Sequence, residues 1–247
     1  MTPLFLIRGI KDWIDGPGLC GIDLYDELPL GSKNDFQVGQ FYATHIKYPL
    51  AVPTKVLELA RYDPTNEENT SFRITNFNKN STGQTQFPVK SLNLKSDERL
   101  YVLAGKLRTI IILGYVESEW IVGQKEKIIL CLPIASFHRQ HTFEHIISIQ
   151  LFEVPHLFYI KPSNKGPYSE GSARYELIQP VQTSELQPVT NSNNLPFKLS
   201  SSAFKLLINH LIKFLYGKPL DEKLEEDIKA FHDIIREDLS KTIIGTP

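Results

Sequence analysis

Two uninterrupted apolar segments constrain the fold of this chain more than any other feature. Residues 109–113 read TIIIL and residues 128–134 read IILCLPI, so neither segment offers a polar face. β-Branched side chains favour extended backbone, and a continuous apolar run is typical of a strand buried on both faces. The polar stretch at residues 117–127 predicts a turn between them. We therefore predict that the two segments form the central hairpin of a mainly β fold.

Shorter segments bounded by turn residues predict further strands around this hairpin. These strands are expected at residues 36–48, 56–62, 146–154, 157–160 and 175–181. The polar, Asn-rich residues 63–98 predict a long insertion that leaves the compact core, with one short strand at residues 72–77. The β domain is thus expected over residues 36–182, after an irregular, Gly- and Pro-rich arm at residues 1–35.

The spacing of apolar residues changes to a helical period near the C-terminus. Phe204, Leu207 and Leu211 fall on one helical face, with the serines at residues 200–202 as N-cap candidates and Gly217 as a stop. A second amphipathic stretch begins near Asp221. The sequence therefore predicts a helical hairpin over residues 200–241, joined to the β domain by a polar linker at residues 183–199.

The composition favours a folded protein without a disulfide framework. Hydrophobic residues make up 41% of the 247 residues and charged residues 22%, which is enough apolar material for a substantial core. Two cysteines, Cys20 and Cys131, do not form the repeated pattern of a disulfide scaffold. Because Cys131 lies within an apolar segment, we expect it to be a buried, unreactive thiol.

The formal net charge of -1 gives no global signature of a nucleic-acid-binding protein. Residues 218–241 hold eight acidic and five basic residues, so the rest of the chain is slightly positive, which is compatible with a polyanionic ligand. No apolar run approaches the roughly 20 residues of a membrane span. Residues 1–10 lack the basic leader and cleavage site of a signal peptide. We therefore expect a cytoplasmic protein that does not bind a membrane.

Four segments in order resemble one protein family. They are QVGQFY at 37–42, KLRTIIIL at 106–113, LCLPIAS at 130–136 and SARYELIQPV at 172–181. Together they are similar to the PemK/MazF family of bacterial toxins. The resemblance implies a small SH3-like barrel, here with a long insertion and an added helical pair. It also implies a metal-independent endoribonuclease that needs no cofactor, forms a homodimer and is neutralised by an antitoxin protein.

Three positions depart from the family pattern. Thr109 follows Arg108 where the family usually has Pro, and Ala135 stands where it usually has Thr. Glu176 replaces the usual Asp. These departures leave open an alternative in which the barrel only binds RNA or a protein. A third interpretation, in which the helices carry the function by docking a partner, is also open.

The resemblance indicates which residues would act on RNA. Cleavage without a metal requires a base for the 2′-hydroxyl proton and cations for the charge that develops on the phosphate. Arg108 and Arg174 suit the second role because guanidinium matches phosphate geometry and keeps its charge. Glu176, two residues after Arg174, is the expected base, and Ser136 is expected to position the phosphate or a base. Considered alone, each of these residues is more typical of a surface ion pair or a turn.

Further residues are expected to line a groove for single-stranded RNA, namely Lys106, His138, Arg139 and His141. The spacing of His138, His141 and His145 is also compatible with a zinc site, although solvated loop residues are the simpler interpretation. The chain lacks a GxxxxGK[ST] phosphate loop, a GxGxxG motif and a nucleophile elbow. Nucleotide hydrolysis and acyl transfer are therefore disfavoured.

Overall fold

The computed structural model describes residues 24–47, 55–61, 69, 71–76, 101–102, 105–121, 124–137 and 141–244. The chain divides into two compact units, residues 1–44 with 107–247 and residues 45–106. In chain order, the strands are β1 (Tyr25–Glu27), β2 (Phe41–Lys47), β3 (Lys55–Arg61), β4 (Ser71–Asn76), β5 (Tyr101–Val102), β6 (Gly105–Ile121), β7 (Gln124–Ser136), β8 (Leu157–Ile160), β9 (Gly171–Arg174), β10 (Gln179–Gln182), β11 (Gln187–Pro188) and β12 (Phe197–Leu199). The helices are α1 (Phe143–Gln150), α2 (Ser201–Tyr216) and α3 (Glu222–Ile244).

The predicted central hairpin is the antiparallel pair β6–β7. Its register runs from Ile110 opposite Pro133 to Ile121 opposite Gln124. Ile111 and its neighbours Ile110 and Ile112 are 0% exposed, which confirms a strand buried on both faces. Around the hairpin a seven-stranded sheet has the order β11-β2-β6-β7-β9-β8, with β10 also paired to β7. Among the described strands, β11 and β8 end this path without pairing to each other, so the sheet is open there.

One main core lies on a single face of the sheet. Ile111 on β6, Leu132 on β7 and Ala173 on β9 all belong to it. Two aromatic side chains from distant parts of the sequence meet them there, with the ring centroids of Phe41 and Phe197 4.6 Å apart. The aromatic and β-branched composition thus supplies the core of a mainly β fold.

The predicted helical pair covers this core. Helix α2 begins at the Ser200 N-cap, whose Oγ accepts the Ala203 N–H at 3.2 Å, and ends at Gly217, which has a φ of 70°. Leu207 and Leu211 on α2 belong to the core, as does Ile228 on α3. Most of the apolar face of α2 therefore packs on the core, while Leu215 at its C-terminal end is 57% exposed.

Polar contacts join the two helices near their connection. The backbone N–H of Asp221 donates to Asn209 Oδ1 at 2.8 Å, and Lys213 on α2 forms an ion pair with Glu225 on α3. Glu225 is buried, and so is Asn209. The helices are therefore part of the first unit.

The second unit contains a separate three-stranded antiparallel sheet. Strand β3 lies in the middle, between β4 and β5. The strands expected at residues 56–62 and 72–77 are confirmed by β3 and β4. Most of the insertion expected at residues 63–98 lies outside the described residues.

One predicted strand is wrong. Residues 146–154 begin within helix α1, whose first turn is fixed by Thr142, because its side chain accepts the His145 N–H at 3.3 Å. Ile146 and Ile149 are buried on one side of that helix, a spacing of three that a strand cannot place on one face.

Residues predicted as a linker and as an arm also contain sheet structure. Strands β11 and β12 lie in the expected linker. Strand β11 pairs with β2, and β12 pairs with β1, which lies in the part of the chain expected to be an irregular arm. The strand expected at residues 175–181 is shorter, because a 3-10 turn occupies Tyr175–Leu177 before β10 begins. The pairing partners of these short strands are far away in sequence, and local patterns do not reveal them.

Candidate functional site

Arg174 and Glu176 form an ion pair at the end of β9. Arg174 Nε donates to Glu176 Oε1 at 2.6 Å, and Nη2 contacts the same oxygen. The two side chains are 41% and 26% exposed. A spacing of two residues would place both side chains on one face of a continuous strand. Glu176 does not continue the strand, because β9 ends at Arg174 and Glu176 lies in the 3-10 turn that follows.

Tyr175 holds this turn against the body of the protein. It is buried, its backbone N–H donates to the His156 carbonyl at 3.0 Å, and its hydroxyl donates to the Leu207 carbonyl at 3.0 Å. Burial raises the pKa of the Tyr175 hydroxyl well above its usual value. The two residues of the ion pair therefore flank a residue whose backbone and side chain are both fixed by hydrogen bonds.

Arg108 and Arg174 lie on the same face of the large sheet. Ala173 and Ile111 point into the main core, so Arg174 and Ile110 point to the opposite face. Arg108 shares the face of Ile110 because it lies two residues before it on β6. The strands that carry the two arginines are separated by β7 in the order of the sheet, and neither arginine lies opposite a residue of β7 in the paired register.

Ser136 is at the end of β7 but on the other face from the arginines. It lies opposite Gly171 and shares the orientation of the core residue Ile134. The face that carries the arginines has Ala135 at this point. Ser172, directly opposite Ala135 on β9, is the hydroxyl-bearing residue there, and it is 4% exposed. The structure thus brings Arg174 and Glu176 together, places Arg108 on the same sheet face two strands away, and does not bring Ser136 to that face.

A second polar pair lies beside Ser172. Tyr159 is directly opposite Ser172 on β8, and its hydroxyl donates to Glu170 Oε1 at 2.5 Å. Burial and the neighbouring Glu170 carboxylate both raise the pKa of Tyr159. Sequence reasoning missed these residues. The alternation of polar residues at Glu170, Ser172 and Arg174 was the available signal for a strand with one polar face.

The residues expected to line an RNA groove have different positions. His138 and Arg139 lie outside the described residues. Lys106 is exposed on β6 and belongs to the second unit. His141 is half-buried and precedes helix α1, where its ring centroid is 5.9 Å from that of His145. In the described ranges, no cluster of three or more His, Cys, Asp or Glu side chains has the arrangement of a metal site.

Cys131 is buried, as expected, and its Sγ lies 3.2 Å from the Gln179 carbonyl oxygen. Burial raises its pKa to about 12, so the thiol stays protonated at neutral pH. This thiol is not a nucleophile. The chemistry of the site therefore depends on guanidinium, carboxylate and hydroxyl groups.

The comparisons with known proteins give this chain no relative. Neither protein-family models, nor curated proteins, nor solved structures matched it. None of the helices in the described part of the chain is long and apolar enough to cross a lipid bilayer. Any function of this chain must therefore be inferred from its own side chains.

Proposed function

We propose that this chain is a metal-independent endoribonuclease of the PemK/MazF type that cleaves single-stranded RNA by attack of the 2′-hydroxyl. The observation that carries the proposal is the Arg174–Glu176 pair on an anchored turn, with Arg108 on the same sheet face. A carboxylate beside a guanidinium provides a proton acceptor next to a phosphate-binding group.

The proposed reaction uses each residue once. Glu176 accepts the proton of the 2′-hydroxyl, whose oxygen forms a bond to phosphorus. Arg174 and Arg108 bind the non-bridging oxygens as negative charge develops there. The bond from phosphorus to the 5′ oxygen breaks, and that oxygen takes a proton from water. The products are a 2′,3′-cyclic phosphate and a free 5′-hydroxyl, and Ser136, on the other face of the sheet, has no part in this step.

The family resemblance extends the proposal beyond the site. We include in it an SH3-like origin for the open sheet, with residues 45–106 as the inserted unit. We also include a homodimer that acts in the bacterial cytoplasm and an antitoxin protein that neutralises it. His141, which precedes helix α1, is a further proposed contact for the RNA.

The test is cleavage of a labelled single-stranded RNA by the purified full chain in EDTA. The Arg174→Ala variant is expected to lose at least about 100-fold in rate, because the transition-state charge loses its fixed donor. Arg73→Ala is the matched control, since Arg73 is an exposed arginine of the second unit on β4. Wild-type protein that does not cleave, or a rate unchanged by Arg174→Ala, rejects the nuclease.

A non-catalytic RNA-binding protein is the second candidate. The observation in its favour is Ala135, because the sheet face shared by Arg108 and Arg174 has a methyl group where the resembling family usually carries a hydroxyl. This candidate is selected if the wild type binds RNA without cleaving it and Arg174→Ala lowers the affinity for RNA.

A further inference from the structure

A row of rings leads from β8, past the residue that follows β7, and onto helix α1. The ring centroids of Tyr159 and Phe137 are 6.2 Å apart with planes 23° apart, and those of Phe137 and His141 are 5.3 Å apart. The His141 and His145 centroids are 5.9 Å apart with planes again 23° apart. We call these four side chains the ring row. It joins a strand, a loop and a helix into one continuous set of ring contacts.

The exposure of the ring row increases along its length. Tyr159, at the sheet end, is half-buried and has its hydroxyl bound to Glu170. Phe137 and His141 are half-buried, whereas His145 is exposed. The row therefore presents ring surface to solvent at its helical end while its other end is fixed in the sheet.

The start of helix α1 sets the position of His145. The Thr142 side chain accepts the His145 backbone N–H, which fixes the first turn and brings the two imidazoles together. The exposed carboxylate of Glu144 is in the same turn. A carboxylate here repels a phosphate group, but it does not repel an uncharged nucleobase.

We propose that the ring row is a base-stacking subsite for single-stranded RNA, with one nucleobase packed on His141 and His145. This inference rests on the proposed function, because it assigns a site for the bases next to the site proposed for the phosphate. Proteins that bind single strands commonly combine cationic groups along the backbone with aromatic side chains under the bases. The ring row begins at Tyr159, which is opposite Ser172 and therefore near Arg174 on the same strand.

The test compares two fluorescent decamers bound to the full chain, with binding followed by anisotropy. One is 2′-O-methyl oligouridine, which carries bases but cannot be attacked at the 2′ position, and the other has the same backbone without bases. The His145→Ala variant is expected to bind the base-bearing decamer roughly 10-fold more weakly, in line with the loss of one stacked base. Its affinity for the decamer without bases should not change.

Two further variants separate stacking from other effects. His145→Phe is expected to restore binding of the base-bearing decamer, since it supplies a ring without a charge. His45→Ala replaces an exposed histidine on β2 and should change neither affinity. If His145→Ala loses equal affinity for both decamers, or loses none, the stacking subsite is overturned. Neither result contradicts the proposed nuclease. Base-dependent binding without cleavage of ordinary RNA overturns the nuclease alone, and no binding of either decamer overturns both.

Discussion

Arg174 Nε donates to Glu176 Oε1 over 2.6 Å while Tyr175, the residue between them, is buried beneath α2. An exposed pair would ordinarily exchange freely with water and contribute little to stability. Here the intervening ring fixes the backbone that carries both groups. The pair is therefore held on a fixed piece of backbone, and its energetic contribution to folding is small.

Replacing Glu176 separates these two roles. The Glu176→Gln variant keeps the shape of the side chain but cannot accept the 2′-hydroxyl proton, so we expect cleavage of RNA to fall by at least about 100-fold. The free energy of unfolding should change by less than about 1 kcal/mol. Initial cleavage rates in the presence of EDTA measure the first effect, and urea denaturation measures the second. Glu185→Gln, at another exposed glutamate, is the control, and an equal rate in both variants would contradict the role of Glu176.

Ala135 offers a gain-of-function test. It lies opposite Ser172 on the face of the arginines, so Ala135→Thr places a hydroxyl where a bound phosphate is expected. One hydrogen bond to a charged group corresponds to roughly a 10-fold gain in cleavage rate. Ala135→Val has the same shape without the hydroxyl and should not gain. Single-turnover rates on one RNA give the comparison, and equal rates for the Thr and Val variants would exclude a phosphate at this position.

Stability is expected to fall in mild acid because of His210. Its side chain is 4% exposed, its Nε2 is 3.4 Å from the Val154 carbonyl oxygen, and its ring contacts Phe152 and Tyr175. Burial lowers the pKa of His210 in the folded state, and nearby Lys213 lowers it further, against the opposing effect of Glu225.

The sign of this effect follows from the two pKa values. Unfolded histidine takes up its proton near about pH 6.5, whereas folded His210 does so only at lower pH. Its contribution to stability is therefore complete above that value and is lost as the pH falls through the folded pKa. Urea denaturation at about pH 7.5 and about pH 5 should show the loss. His210→Phe should reduce it, and an unchanged pH dependence in that variant would assign the effect elsewhere, such as to His232, whose pKa burial also lowers.

The substitution Gly217→Ala tests whether a glycine is needed where helix α2 ends. The φ of Gly217 is 70°, and a methyl group added there would meet nothing within 4 Å, so the cost of Gly217→Ala is purely conformational. We expect a loss of about 1 kcal/mol in the free energy of unfolding. Gly31→Ala is the control, because Gly31 is equally open without a positive φ. A Gly217→Ala variant as stable as the control would show that this turn tolerates a side chain.

Elements with strong local signals were predictable from the sequence. The two apolar runs predicted the β6–β7 hairpin, but the turn expected at residues 117–127 was wrong there, because residues 117–121 and 124–127 extend the two strands. For α2 the pattern indicated the stop at Gly217 and three serines as cap candidates, of which Ser200 is the cap. For α1 the local signal is ambiguous. Its short apolar segment fits a period of two or of three to four, and the cap at Thr142 decides in favour of a helix.

Strand β9 has only the weak local signal of alternating polar residues, and its neighbours define it. Its residues Gly171, Ser172 and Ala173 have little intrinsic preference for extended backbone. A methyl group on Gly171 would lie 2.5 Å from the Ala135 carbonyl oxygen, so the close approach of β7 requires a glycine. The same non-local pairing explains the site. Arg174 and Glu176 are close in sequence, so their proximity was predictable although the turn between them was not. The positions of Ser172 and Tyr159 depend on registers that bring distant segments together.

The pairing of β1 with β12 has a consequence for how the protein is made. Tyr25 lies opposite Leu199, so the first described strand has no partner until nearly all of the body has left the ribosome. Contacts of such long range form late and slowly. An exposed early strand is a site where nascent chains aggregate, and synthesis in the presence of chaperones should therefore raise the yield of folded protein.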